Sequence, residues 1–172
     1  IGYSYIGLSE RVKDSIKTRI KSPEKLITEF VQSLSNCTKS SRKELWLETI
    51  EALVSDPVFK AAELIDLIDV DFENEEEVGV LRKTFDRLSS GHKIVLLSLT
   101  RLIEQVEEKS LVLIDEPEGH LHPPLLAAMT RSVSNLMVKR NGVAIVATHS
   151  PVILQEVPKT CAYVLSRIRT DS

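Results

Sequence analysis

Apolar residues in the first half of the chain fall at helical spacing. Leu26, Ile27, Phe30, Val31 and Leu34 form one stripe, opened by Ser22 as a cap and by Pro23 at the first helical position. The polar segment Ser35 to Ser41 is expected to end that helix. Trp46, Ile50, Leu53 and Val54 predict a second helix over about Arg42 to Val54, stopped by Asp56-Pro57. Val58, Phe59, Ala62, Leu64, Ile65 and Ile68 predict a third. Such stripes are core faces. Upstream, Tyr3 to Leu8 alternates aromatic and branched residues with small ones, as a short strand does. Asp69 to Glu77 is strongly acidic but lacks the glycine and ligand spacing of a calcium loop, so it reads as a solvated linker.

The period changes in the second half. Ser89-Ser90-Gly91 precedes a helix with Val95, Leu99, Leu102, Ile103 and Val106 on one face. Leu111 to Ile114 is a short apolar run between Ser110 and Pro117, the pattern of a strand buried on both faces of a parallel sheet. Pro123-Pro124 opens a helix striped by Leu125, Leu126, Met129, Val133, Leu136 and Met137, which stops at Asn141-Gly142. Val143 to Ala147 is again wholly apolar. Strand, crossover helix and strand make a parallel pair, and Ala162 to Leu165 is expected to extend it. The fold class is therefore α/β. A mainly helical subdomain with an acidic linker covers residues 1–87, and an αβ portion covers residues 88–172.

Charge adds little to this picture. A formal net charge of −3 gives no global case for nucleic acid, and the basic stretch from Arg11 to Lys21 reads as a solvated face. Cys37 and Cys161 lie far apart without ligand spacing, which points to reduced thiols and a cytoplasmic protein. No apolar run reaches membrane-spanning length, so no membrane partner is expected. The chain begins at Ile1 and enters as if mid-fold, as a fragment would.

The chemistry collects around Asp115 and Glu116. Parallel sheets place ligands at the carboxyl ends of their strands. Two carboxylates there are costly unless a positive group, most simply a metal-bound phosphate, compensates them. His149 ends the neighbouring strand on the same edge. Ser89, Ser90 and Gly91 start a helix, whose free N–H groups favour an anion. Three chemistries compete. Zinc is suggested by His120-Leu121-His122 but needs about four ligands, and the cysteines are badly placed. A serine hydrolase would need Ser150 on a G-x-S-x-G elbow, which is absent. A nucleotide phosphohydrolase fits better: Asp115 positions Mg²⁺, Glu116 orients or deprotonates water, and His149 senses the terminal phosphate.

These segments carry a resemblance. Leu88-Ser89-Ser90-Gly91-His92, Leu111 to Pro117 and Thr148-His149-Ser150-Pro151 resemble the signature motif, Walker B strand and switch histidine of ABC-type ATPases. The run Glu116 to Pro123 looks most like the soluble, non-transporter branch that includes SMC-like, RecF-like and OLD-type proteins. The first half loosely resembles the Septu and retron-associated PtuA ATPases of phage defence. The resemblance implies ATP and Mg²⁺ clamped between two heads of a homodimer. Ser89, Ser90 and Gly91 would bind the nucleotide of the opposite head, and Asp115 would hold Mg²⁺ through water. Glu116 and His149 would be catalytic. Glu118 to His122 would lie in the D-loop, where His120 and His122 serve the interface or local structure rather than a metal.

A nuclease partner, and DNA or RNA through it, are implied as well. Ser90 stands where many transporters have glycine, and His92 where they have glutamine. A larger departure is that no G-x-x-x-x-G-K-[S/T] occurs in the 172 residues. The chain thus resembles the carboxyl-terminal part of a head, expected to be inactive alone. Two alternatives stand beside this reading: a non-catalytic interaction domain that keeps the fold, and the ATPase part of an OLD-type nuclease with a downstream Toprim domain.

Overall fold

The computed structural model describes residues 9–11 and 18–166, with side chains from Lys21 onward except that of His120. The strand expected over Tyr3 to Leu8 lies outside these residues. Ser9–Arg11 (β1) and Thr18–Ile20 (β2) pair antiparallel. Helices follow at Pro23–Thr38 (α1), Lys43–Leu53 (α2) and Pro57–Ala61 (α3), then a 3₁₀ segment at Leu64–Asp69. Glu75–Arg87 (α4) and Ser90–Gln105 (α5) complete the helical part. Leu111–Asp115 (β3), Pro123–Lys139 (α6) and Val143–Ala147 (β4) form the crossover unit, and Pro151–Glu156 (α7) closes it.

The caps explain where the helices start. Ser22 accepts from Lys25 N, Asp56 from Val58 N and Phe59 N, Asn74 from Glu76 N, Ser89 from His92 N, and Ser150 from Val152 N. One hydrophobic core joins α1, α2, α4, α5 and α6. At its centre Phe30 stacks on Phe85 with ring centroids 4.7 Å apart. The buried Trp46 donates from Nε1 to Thr100 Oγ1 at 3.0 Å, which satisfies its one polar atom.

The third helix expected over Val58 to Ile68 divides into α3 and the 3₁₀ segment Leu64–Asp69, with Glu63 left-handed (φ 48°) between them, and further sequence expectations change. Helix α1 does not stop at Ser35 but runs to Thr38, because Ser33, Ser35 and Cys37 are buried beneath it. The acidic run is a loop only in its first part. Asn74 caps α4, whose first turn carries Glu75, Glu76 and Glu77 at the positive end of the helix dipole, where carboxylates are favourable. Ala162 to Leu165 forms no strand among the described residues, and Tyr163, Val164 and Leu165 are exposed.

Strands β3 and β4 are parallel, as expected, with Leu111 opposite Val143 and Asp115 opposite Ala147. They are buried on one face only. Val112, Ile114 and Ala144 pack on the core, whereas Leu111, Leu113, Val143 and Ile145 are 57–71% exposed. The unit's turn is tightly specified. Asn141 takes the left-handed conformation at the end of α6 (φ 48°), and Gly142 N donates back to Met137 O at 2.9 Å. Gly142 is required for a different reason: a Cβ there would lie 2.9 Å from the Ser110 carbonyl.

Candidate active site

The parallel register determines what reaches the carboxyl edge of the sheet. Asp115 ends β3, and Glu116 follows with its N–H bonded to Ala147 O at 2.9 Å, so β3 and β4 finish level. Glu116 adopts a left-handed backbone (φ 45°, ψ 56°) immediately before Pro117. That conformation costs about 1–3 kcal/mol in a non-glycine residue, and such strain gathers at functional positions. It is held by the Ala147 bond on one side and by the 3₁₀ turn Pro117–His120 on the other.

His149 sits beyond β4 with its Nδ1 2.5 Å from Glu116 Oε2 and 3.3 Å from Glu118 Oε1. Both Glu116 and His149 are exposed, so the pair is open to a ligand. Glu118 is largely buried and organises the edge. Its Oε1 accepts from Thr148 Oγ1 at 2.6 Å and from His149 N at 2.9 Å. Thr148 Oγ1 in turn accepts from Ser150 N at 2.9 Å. Burial pushes the Glu118 carboxyl upward, but the Thr148 hydroxyl, its own amide, the His149 amide and Glu116 outweigh that and hold it below its ordinary value. Glu118 therefore stays ionised and clamps the loop after β4 to the turn after β3. This role follows from three contacts more than 29 positions apart in sequence, and no local pattern announces it. Thr148, placed directly before His149, is the nearest thing to a signal.

The structure thus brings Asp115, Glu116 and His149 to one edge. It does not bring Ser89, Ser90 and Gly91 into that group: among the described residues no hydrogen bond or ion pair joins the two. Ser89 and Ser90 are exposed at the start of α5, and Gly91 is half-buried. Ser89 caps the helix and its Oγ lies 2.6 Å from His92 Nδ1. His122 serves local structure, accepting from Leu125 N through Nδ1 as the cap of α6.

The donors at the sheet edge are hard carboxylate oxygens with one imidazole, a set that fits Mg²⁺ beside phosphate better than zinc. An ionised carboxylate at Glu116 can accept a proton from water, and an imidazole hydrogen-bonded to it can report the charge of a nearby phosphoryl group.

Comparison with known proteins agrees on the type of domain. Residues 17–155 match the family described as AAA domain, putative AbiEii toxin, Type IV TA system. The chain is also 48% identical over 183 residues to Protein ea59 of Escherichia phage lambda, an alignment that covers 97% of this chain and 34% of that protein. The chain thus spans about a third of the length of this curated relative. No solved structure matches. No helix of the described residues is long and apolar enough to cross a membrane.

Proposed function

Because the chain belongs to the family described as AAA domain, putative AbiEii toxin, Type IV TA system, a P-loop ATPase type, we propose that its β3–β4 edge is the water-activating half of an ATP-hydrolysing site. The observation that carries this reading is the pairing of Glu116 Oε2 with His149 Nδ1 at 2.5 Å, beside Asp115 and across two level parallel strands. Glu116 orients and deprotonates the attacking water. His149 holds the Glu116 carboxylate toward that water, and Glu118 fixes the His149 loop. Asp115 would hold Mg²⁺, which supplies charge neutralisation of the phosphates when bound.

Ser90 and Gly91 open α5, where the first N–H groups of a helix lack intrahelical partners, and with the Ser89 cap they are the second half of a composite site, given to a nucleotide on an opposing head. The likeness of the Leu88-Ser89-Ser90-Gly91-His92 run to the signature motif of ABC-type ATPases supports a dimer of heads over a site closed within one chain. The lysine-bearing phosphate loop must come from outside these 172 residues, since no such motif lies within them. The likeness to SMC-, RecF-, OLD- and PtuA-type ATPases supports work on DNA or RNA with a nuclease partner, in defence against phage.

Phosphate release from ATP by the full-length encoded protein tests the proposal. Glu116→Gln should lower turnover by at least a hundredfold while prolonging a nucleotide-bound dimer seen by light scattering. Unchanged turnover would remove Glu116 from the chemistry. The 172 residues alone should release no phosphate, and turnover by them that Glu116→Gln abolishes would overturn the need for an outside loop.

A further inference from the structure

A second cluster lies outside the sheet edge, at the starts of three helices. Asp56 caps α3, His92 lies in the first turn of α5, and His122 caps α6. One ligand atom from each lies within 4.8 Å of the others. His92 is buried, Asp56 is nearly so, and His122 is exposed. In sequence His122 pairs with His120; in space it pairs with His92, at 5.6 Å between ring centroids.

His92 is held from both sides. Its Nδ1 is 2.6 Å from Ser89 Oγ, and its Nε2 is 3.2 Å from Asp56 Oδ1. Phe59 packs edge-on against the ring at 4.8 Å. With Nε2–H donating to Asp56 and Nδ1 accepting from the Ser89 hydroxyl, the neutral ring satisfies both contacts; with Nδ1–H donating to Ser89, Nε2 offers its lone pair as a ligand beside the Asp56 carboxylate. The second tautomer leaves room between Nε2 and Asp56 Oδ1 for a bound cation. Here a third donor converges on the same point from a separate helix.

We propose that Asp56, His92 and His122 form a binding site for a single zinc-class divalent ion, with water as the fourth ligand. Two imidazoles and one carboxylate match a three-ligand zinc set. Zn–N and Zn–O bonds of ~2.0–2.2 Å put tetrahedral ligand atoms roughly 3.3–3.5 Å apart. The 3.2 Å between His92 Nε2 and Asp56 Oδ1 already has that spacing. Rotation of the exposed His122 side chain, at the expense of its 3.4 Å cap contact with Leu125 N, closes the rest. The Ser89 hydroxyl orients the buried imidazole, the outer partner that metal-binding histidines require. His122 at the surface gives the ion its access route. One carboxylate is too few for Ca²⁺ or Mg²⁺, which prefer oxygen ligands. The converging helix starts oppose a cation, so micromolar rather than picomolar affinity is expected. Bound there, the ion would tie α3 and α6 to the turn that carries Ser89 and Gly91.

The test uses untagged protein stripped with chelator. Zn²⁺ is titrated calorimetrically, and Co²⁺ is followed by the visible absorption of a four-coordinate ion. One equivalent per chain is expected. His122→Ser keeps a helix-capping hydroxyl but removes the ligand, and should weaken binding at least tenfold. His92→Gln should abolish the Co²⁺ band, and if it fails to fold, His122→Ser decides. His149→Ala should bind as the parent does. Absence of binding, parent-like binding by His122→Ser, or loss of binding in His149→Ala alone would overturn the proposal, the last by placing the ion at the sheet edge.

Discussion

The helical core and the β3–β4 sheet are built from equally apolar sequence and end in opposite conditions. Phe30, Leu34, Trp46, Leu53 and Leu99 have no exposure at all, whereas alternate residues of both strands face solvent. The difference lies in partners. Each helix presents one stripe and finds another helix for it, but a strand presents two faces, and in this chain α6 and the core cover one. Stability therefore resides in the helices, while the Glu116–His149 pair sits at the sheet edge. The left-handed backbone of Glu116 is held locally, by its bond to Ala147 O and by the 3₁₀ turn that follows it.

The sharpest way to break this comparison is truncation inside the core. Phe30→Ala removes a fully buried ring stacked on Phe85 and should cost about 3–5 kcal/mol in denaturant unfolding. Next comes the join between the regions. Gly142→Ala drives a methyl against the Ser110 carbonyl and should cost about 1–3 kcal/mol by the same measurement.

Asp56→Ala removes the α3 cap and the His92 partner, with an expected loss of roughly 1–2 kcal/mol. This contribution depends on pH. Burial raises the Asp56 carboxyl, but the Val58 amide, His92 and the Phe59 amide outweigh it and hold it below its ordinary value. A carboxylate depressed in the folded state stabilises above its unfolded pKa, about 3.9, and that stability is lost as pH falls through the lower folded value. The parent should thus lose part of its advantage over Asp56→Ala below about pH 4, read from melting temperatures across pH. The smallest effect belongs to the open sheet face: Leu113→Thr should change stability by less than about 0.5 kcal/mol. A loss as large as that of Phe30→Ala would mean that this face is covered in solution.

Much of the fold was legible because amphipathic stripes record burial directly. The stripes of α1, α2, α5 and α6 and the parallel β3–β4 pair were all readable. Helix α4 was hidden by its own first turn, since Glu75 to Glu77 look like solvent-exposed linker and only Leu81 and Phe85 are buried. The apolar strands signalled strand but not which face would be covered, because that depends on what packs beside them. At the site, Asp115, Glu116 and His149 were visible as chemical types at strand ends. The Glu118 clamp and the Asp56–His92 pair were not, since each joins residues 30 or more positions apart.

The Trp46–Thr100 contact gives the chain an internal optical probe. The only tryptophan is fully buried and lies in α2, bonded to α5, so its emission reports the environment of the helical core. Opening of that core will shift the emission, while fraying of β3 and β4 will leave it dark to the experimenter. A fluorescence melt and a hydrogen-exchange profile of the strands should therefore disagree, and the gap between them measures how independently the sheet edge moves.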